Sequence, residues 1–132
     1  MTEDLLSIRQ MCAAYSVTAR TLRFYEAKEL LFPIRDGQKR LFTRRDRARL
    51  KLILRGKRFG FSLEEIRQLL DLYDQGDQQE EQLRRTYAVA RARLAQMEHQ
   101  RAELDEAIAE LKGQLAWGDS MLASFQSRDA AE

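Results

Sequence analysis

Residues 17–26 of the 132-residue chain read VTARTLRFYE, and this stretch decides the fold of the N-terminal half. Thr18 is suited to cap a helix that continues to about Leu30, because its side chain accepts from N–H groups that the first turn leaves open. A shorter helix is predicted before it, since Ser7 and Gln10 form a capping box ahead of apolar residues at helical spacing, namely Ile8, Met11, Cys12 and Tyr15. Two short helices joined by a tight turn form a helix-turn-helix.

The segment after these helices predicts a short basic hairpin. Pro33 ends the second helix, because proline disfavours helical backbone in the residue before it. Asp36-Gly37 is a strong two-residue turn signal, since a type I′ turn needs positive φ at both positions. The flanks are short, so we expect a small wing beside the helix-turn-helix rather than a larger sheet.

Two more helices are predicted after the wing. Thr43 begins a third helix and Gly60 ends it. The apolar residues of this helix predict an inner face made of Ala48, Leu50, Leu52, Ile53 and Leu54. Ser62 and Glu65 form a capping box for a fourth helix over 63–73.

The C-terminal half has the spacing of a coiled coil. Steps of four and three residues from Leu83 reach thirteen positions, of which eleven are apolar. They are Leu83, Tyr87, Ala90, Leu94, Met97, Arg101, Leu104, Ile108, Leu111, Leu115, Gly118, Leu122 and Phe125. An isolated helix buries none of these side chains, so we expect a second copy of the chain to cover them, with Leu83 to Leu115 as the dimerisation seam. The alternative is a helix folded back on its own N-terminal domain, which a length of about 58 Å disfavours.

These patterns divide the chain into four regions and make the fold class mainly all-α. Residues 1–74 are predicted to form a winged helix-turn-helix domain, and 75–78 a linker. The dimerisation helix is expected over 79–117. Gly118 is expected to end it, which leaves 118–132 for a short C-terminal helix and tail.

The charges of the two halves have opposite sign. Residues 1–60 hold 15 Lys and Arg against 6 Asp and Glu, and residues 61–132 hold 8 against 15, so +9 and −7 lie behind the net charge of +2. This asymmetry is typical of a nucleic-acid-binding domain joined to a different kind of tail, the alternative being two solvated surfaces of opposite charge. No apolar run approaches the roughly 20 residues of a membrane span, and the N-terminus does not resemble a signal peptide. A cytoplasmic location and no membrane partner are expected.

The basic half concentrates side chains that suit double-stranded DNA. Arginine can bind guanine or phosphate, Thr and Tyr hydroxyls suit phosphate oxygens, and a cationic wing suits the backbone or the minor groove. The candidate contacts are Thr18, Arg20, Thr21, Arg23, Phe24 and Tyr25 in the second helix, Arg35, Lys39 and Arg40 in the wing, and Lys57 and Arg58 at the end of the third helix. Each cation has the alternative of an ordinary solvated side chain, and Phe24 that of a core residue.

Four motifs carry a family resemblance: VTARTLRFYE at 17–26, LL at 30–31, RLF at 40–42 and GFSLEEI at 60–66. Together they make the stretch from 6 to 70 resemble the N-terminal domain of the MerR family of transcription regulators. The resemblance implies contact roles for Arg20, Arg23, Phe24 and Tyr25 in the recognition helix, for Arg35 and Arg40 in the wing, and for Lys57. Two positions depart from the family pattern, since Phe24 stands where tyrosine is common and Lys39 where an aromatic residue is common.

The same resemblance implies a mechanism and partners. Members bind a pseudo-palindrome inside an over-long promoter spacer as homodimers whose long helices pair antiparallel. The activated dimer bends and untwists the DNA so that RNA polymerase engages both promoter elements. The resemblance leaves a small-molecule effector open.

No metal or other cofactor is expected, because a metal site needs several ligands. Cys12 is the one cysteine and lies on an apolar helix face, and His99 is the one histidine. The sequence also holds no paired carboxylates, nucleophile with base, or phosphate-binding glycine loop, so an enzyme is not expected. Two functions compete with that of the regulator: an architectural DNA-binding protein without a particular operator, and a coiled-coil adaptor whose N-terminal domain binds protein.

Overall fold

The computed structural model describes residues 4–75 and 80–131, without the side chains of Gln75 and Ala131. The described chain is mainly helical, with one small sheet, as the sequence predicts. Its elements in order are β1 Leu6–Ser7, α1 Ile8–Tyr15, α2 Ala19–Ala27, β2 Ile34–Asp36, β3 Lys39–Phe42, α3 Arg44–Arg58, α4 Leu63–Gln75 and α5 Glu80–Ala131. We call residues 4–75 the head. The predicted linker at 75–78 lies outside the described residues except for Gln75. The predicted start of the long helix at 79 also lies outside them.

The predicted helix caps are confirmed in the head. The Ser7 Oγ accepts from the N–H of Gln10 at 3.1 Å, and the Gln10 side chain accepts from the N–H of Ser7 at 2.8 Å. The Thr18 hydroxyl accepts from the N–H of Thr21 at 3.1 Å. The capping box before α4 and a further one at the start of α3 are also formed. Local side-chain chemistry therefore fixes where each helix of the head begins.

The wing is the hairpin of β2 and β3. Its two-residue turn is Gly37-Gln38, with Gly37 at φ 63°. The predicted type I′ turn at Asp36-Gly37 is therefore wrong by one residue, because Asp36 ends β2 and does not have a positive φ. Asp36 faces Lys39 across the hairpin, and Arg35 faces Arg40. The sequence did not indicate that Leu6–Ser7 would add a third strand. This strand pairs antiparallel with β3, so the sheet order is β1-β3-β2 and the wing is attached to the start of α1.

The core of the head is built from every helix of the head and from β3. The buried apolar side chains are Met11, Leu22, Tyr25, Leu30, Leu31, Phe42, Leu50, Ile53, Ile66 and Leu70. The predicted inner face of α3 is partly wrong, because Ala48 is exposed and Leu52 and Leu54 are only half-buried. The buried residues of α3 include the polar Asp46 and Arg49 in their place.

Asp46 and Arg49 can be buried because both are bonded. The Asp46 Oδ1 accepts from the N–H of Phe32 at 2.9 Å. The Arg49 Nε donates to the carbonyl oxygen of Leu30 at 2.8 Å, and its guanidinium pairs with Asp74 at the end of α4. A buried polar group costs little when its hydrogen bonds are made. These bonds tie the segment after α2 to α3 and α4, and so they position the recognition helix.

The helix α5 runs for 52 residues without a break. The prediction that Gly118 ends it and that a short helix follows is therefore wrong. A glycine inside a helix costs only about 1 kcal/mol relative to alanine, and the nearby Leu115, Ala116, Met121 and Leu122 favour helix. The chain divides into two compact units, 1–88 and 89–132. Within the described residues, no helix carries an apolar stretch long enough to cross a membrane.

Candidate nucleic-acid interface

The helix α2 presents one buried and one exposed face. Leu22 is fully buried, while Arg20 and Arg23 are exposed and the Phe24 ring is 45% exposed. No carboxylate among residues 4–75 and 80–131 forms an ion pair with either arginine, so both guanidinium groups are available to a polyanion. Tyr25, predicted as a DNA contact, is only 3% exposed and packs in the core. That prediction is corrected: Tyr25 supports α2 from beneath because it lies on the same face as Leu22.

The threonines at the start of α2 are engaged with each other. The hydroxyls of Thr18 and Thr21 lie 2.9 Å apart, and Thr18 also caps the helix. One of these two hydroxyls donates to the other, so one hydroxyl proton remains to donate to a ligand at the helix N-terminus. The backbone N–H groups at this end of the helix also favour an anion. The Lys28 ammonium lies 5.7 Å from the centre of the Phe24 ring, which adds a cation at the other end of the helix.

The carboxylate of Glu26 in α2, which the sequence prediction missed, pairs with both wing arginines. Its Oε2 accepts from Arg35 at 3.0 Å, and its Oε1 accepts from the Nε of Arg40. Burial raises the pKa of Glu26, but the hydrogen bonds and charges of Arg40 and Arg35 outweigh burial and lower the pKa below its ordinary value. Glu26 lies within the stretch 17–26 that predicts the helix-turn-helix. Its contact with the wing was not predicted because the two are separated in sequence.

The pairing with Glu26 changes what the wing offers to DNA. The Arg35 side chain remains 48% exposed, whereas the Arg40 side chain is 21% exposed. Lys39 is exposed on the same hairpin. Arg35 and Lys39 therefore present charge outward, and Arg40 serves first to fasten the wing to α2.

Lys57 lies close to the recognition helix. An open cleft of about 450 Å³ is lined by residues of α2, α3 and α4, including Arg20, Thr21, Phe24 and Lys57. Gly56 allows α3 to approach α4 here, since a Cβ at this position would lie 2.9 Å from Cγ1 of Ile66. The structure thus brings five of the predicted contacts together, since the largely buried Tyr25 also lines this cleft. Arg58 is exposed at the end of α3 and does not line this cleft.

The predicted seam is an exposed stripe on α5. Exposed fractions reach 60% for Leu104, 61% for Leu111 and 62% for Leu115. The remaining seam residues, Leu83, Tyr87, Ala90, Leu94, Met97, Arg101 and Ile108, are exposed too. Trp117, Leu122 and Phe125 are also exposed farther along the helix. Apolar residues at this spacing over many turns are typical of a helix that pairs with another helix.

The described residues contain no cluster of three or more His, Cys, Asp or Glu that could hold a metal ion. Cys12 is half-buried against the core, and the His99 Nε2 lies 2.9 Å from Glu103 on the surface of α5.

Two family models match the chain. The model of the MerR HTH family regulatory protein matches residues 6–72, and the model described as MerR, DNA binding, matches residues 47–114. Among characterised proteins, the HTH-type transcriptional regulator ZntR of Escherichia coli K12 is 33% identical over 99 residues, which are 74% of this chain and 69% of ZntR. The regulator HmrR of Rhizobium leguminosarum is 30% identical over 102 residues, 76% of this chain and 77% of HmrR.

Solved structures of transcription regulators also resemble this chain. HiNmlR, a MerR family regulator lacking the sensor domain and bound to promoter DNA, shares the fold with a TM-score of 0.66 at 24% identity, over 91% of this chain and 94% of its own. PbrR691 of Ralstonia metallidurans, solved with lead(II), is 30% identical with a TM-score of 0.58, over 80% of this chain and 82% of its own. The chain therefore belongs to the MerR family, and it is a DNA-binding transcriptional regulator.

Proposed function

We propose that this regulator binds a pseudo-palindromic site in a promoter spacer as a homodimer and distorts that DNA to control transcription. The observation that carries the proposal is the exposed face of α2, where Arg20 and Arg23 have no acidic partner within the described part of the chain and Arg20 lines one cleft with Lys57. Guanidinium groups on a recognition helix can read guanine in the major groove, while flanking cations bind phosphate. The proposed contacts are Thr18, Arg20, Thr21, Arg23, Phe24, Arg35, Lys39, Lys57 and Arg58, with Arg40 as the residue that positions the wing.

The homodimer is supported by α5. Its apolar stripe needs a partner, and a second copy supplies a stripe with the same spacing. A two-fold dimer carries two recognition helices, so its binding site has two related half-sites. We expect a palindrome for that reason.

Distortion of the spacer follows from a dimer that holds both recognition helices at a fixed separation. Bending or untwisting DNA costs on the order of 1–6 kcal/mol, and contacts at both half-sites repay that cost. RNA polymerase is the proposed functional partner, through the shape of the shared promoter. The exposed charge of the wing favours contact with the flanking backbone.

The experiment that tests the proposal is selection of bound fragments from a random duplex library by the full chain, repeated with Arg23→Ala. A palindrome with a fixed spacing between half-sites is expected from the wild type and not from the variant. Strong binding without sequence preference would instead support an architectural DNA-binding protein. No salt-dependent DNA affinity would support an adaptor, because phosphate contacts always release counterions.

A further inference from the structure

A second basic cleft lies on the outer side of α3, lined by none of the residues proposed to contact DNA. Its volume is about 530 Å³, and four cations of α3 line it: Arg44, Arg47, Lys51 and Arg55. We call it the α3 cleft. Residues 47, 51 and 55 follow one another at four-residue spacing, so their side chains share one helix face at intervals of roughly 6 Å.

Among the described residues that line the α3 cleft, cations outnumber carboxylates. Asp4 is the acidic residue among the described residues that line it, and it lies 3.6 Å from Arg44. No carboxylate of the described ranges pairs with Lys51 or Arg55. The Nη2 of Arg47 donates to the carbonyl oxygen of Asp4 at 2.9 Å, while its buried Nε has no hydrogen-bond partner among the residues described. In the wing and at the end of α4, by contrast, carboxylates stand against the arginines. Like charges at four-residue spacing destabilise a helix, so a bound anion would relieve this repulsion.

Two aromatic side chains also line the α3 cleft. Tyr15 lies at the end of α1, and Tyr73 lies near the end of α4 with 63% of its surface exposed. A DNA duplex keeps its bases stacked inside and offers mainly sugar and phosphate to a surface like this one. Tyrosine rings stack with a planar ring that is free to meet them. The lining therefore favours a small molecule that carries both phosphate and an aromatic ring, and the volume falls within the range of small-molecule sites.

We infer that the α3 cleft binds a nucleoside phosphate, with the phosphates on Arg47, Lys51 and Arg55 and the base against Tyr73. This is a ligand site separate from the exposed face of α2. The three cations span roughly 12 Å along the helix, so a triphosphate meets more of them than a monophosphate does. ATP is expected to bind about tenfold more tightly than AMP, since one further charged hydrogen bond contributes about 1.5 kcal/mol.

The test is isothermal titration of the full chain at constant ionic strength with four probes: ATP, AMP, adenosine and tripolyphosphate. We expect saturable binding of ATP, weaker binding of tripolyphosphate, which lacks the ring, and weakest binding of adenosine, which lacks the charge. Lys51→Gln with Arg55→Gln should weaken ATP binding at least tenfold. The control pair Lys112→Gln with Arg128→Gln removes two exposed cations of α5 and should leave it unchanged.

The variant Tyr73→Ala tests the contact with the base, and its expected result differs from that of a general loss of charge or of folding. It should reduce ATP affinity to that of tripolyphosphate and leave tripolyphosphate binding as it was. Thermal melting should show the charge variant at least as stable as wild type, because repulsion has been removed. If that variant fails to fold, Tyr73→Ala still decides the matter.

Three results would overturn the inference. The first is no saturable binding of ATP, and the second is equal binding of ATP and tripolyphosphate by the wild type. The third is lower affinity for duplex DNA in the charge variant without any nucleotide binding, which would make the α3 cleft part of the DNA surface. Selection of an operator can succeed or fail independently of all three.

Discussion

The head and α5 stabilise themselves in opposite ways. The head packs ten apolar side chains into a closed core and satisfies its buried Asp46 and Arg49 internally. The second unit, 89–132, has no buried residue among those described, and its leucines lie more than half exposed at positions 94, 104, 111, 115 and 122. The core of the head is therefore closed within one chain, whereas α5 has an exposed apolar stripe that we propose a second copy covers. A mutation in the head should act through packing or a single contact, and a mutation in the stripe should act through association.

The largest effect is expected from charging the stripe. Leu104→Glu with Leu111→Glu removes two leucines from each copy of the seam, which forfeits roughly 6–12 kcal/mol of burial per dimer. The variant should be monomeric, with a mass near 15.5 kDa by light scattering, and should bind an operator poorly.

Ala102→Glu with Ala109→Glu is the matched control, because these alanines lie off the stripe and receive the same charges. It should remain dimeric. A dimeric Leu104→Glu, Leu111→Glu protein would remove the stripe as the interface and with it the contrast between the two regions.

The next effect concerns one side chain of the head. Arg23→Ala should weaken operator binding by about 10- to 100-fold, since a base-reading arginine contributes about 1–3 kcal/mol. Fluorescence anisotropy with labelled duplex measures this. Arg9→Ala removes an exposed cation of α1 and should change affinity far less. Equal losses in the two variants would mean that the charge of the head, rather than the exposed face of α2, governs binding.

Glycine substitutions should change stability in opposite directions in the head and in α5. Gly56→Val should lower the free energy of unfolding by about 1–3 kcal/mol, because its Cβ meets Ile66 at 2.9 Å in the core. Gly113→Ala in α5 meets nothing within 4 Å and should raise helix stability by about 1 kcal/mol. Urea unfolding of each variant, at one protein concentration, checks both. Destabilisation by Gly113→Ala would indicate close packing of the partner helix at that position.

Sequence signals that are local were sufficient for much of this structure. The caps at Ser7, Thr18 and Ser62 each depend on residues within four positions and were predicted, as was the hairpin, although its turn lies one residue later than expected. The apolar stripe of α5 was also readable, because its period repeats over many turns.

The missed features depend on contacts between distant residues. Arg49 was left out of the predicted inner face of α3 because its partners lie 19 and 25 residues away, at Leu30 and Asp74. Tyr25 looked like a contact residue because its hydroxyl suits phosphate, although the helix phase it shares with Leu22 places it in the core. The helix end at Gly118 was misjudged because a glycine marks a helix end only where the chain has reason to turn.

The smallest effect isolates the link between α2 and the wing. The pKa of Glu26 is lowered in the folded protein, so its contribution to stability is present above the unfolded pKa, near the ordinary value of 4.5, and is lost as pH falls through the lower folded pKa. Glu26→Gln should therefore destabilise the head by no more than about 1 kcal/mol at pH 7, because the pair is partly solvated. The difference between variant and wild type should shrink steadily below pH 4.5. Thermal melting across that range measures it, with Glu29→Gln as the control on the exposed turn after α2. A difference that stays constant with pH would mean that Glu26 acts through packing rather than through its charge, and the wing would then be positioned mainly by its backbone pairing with β1.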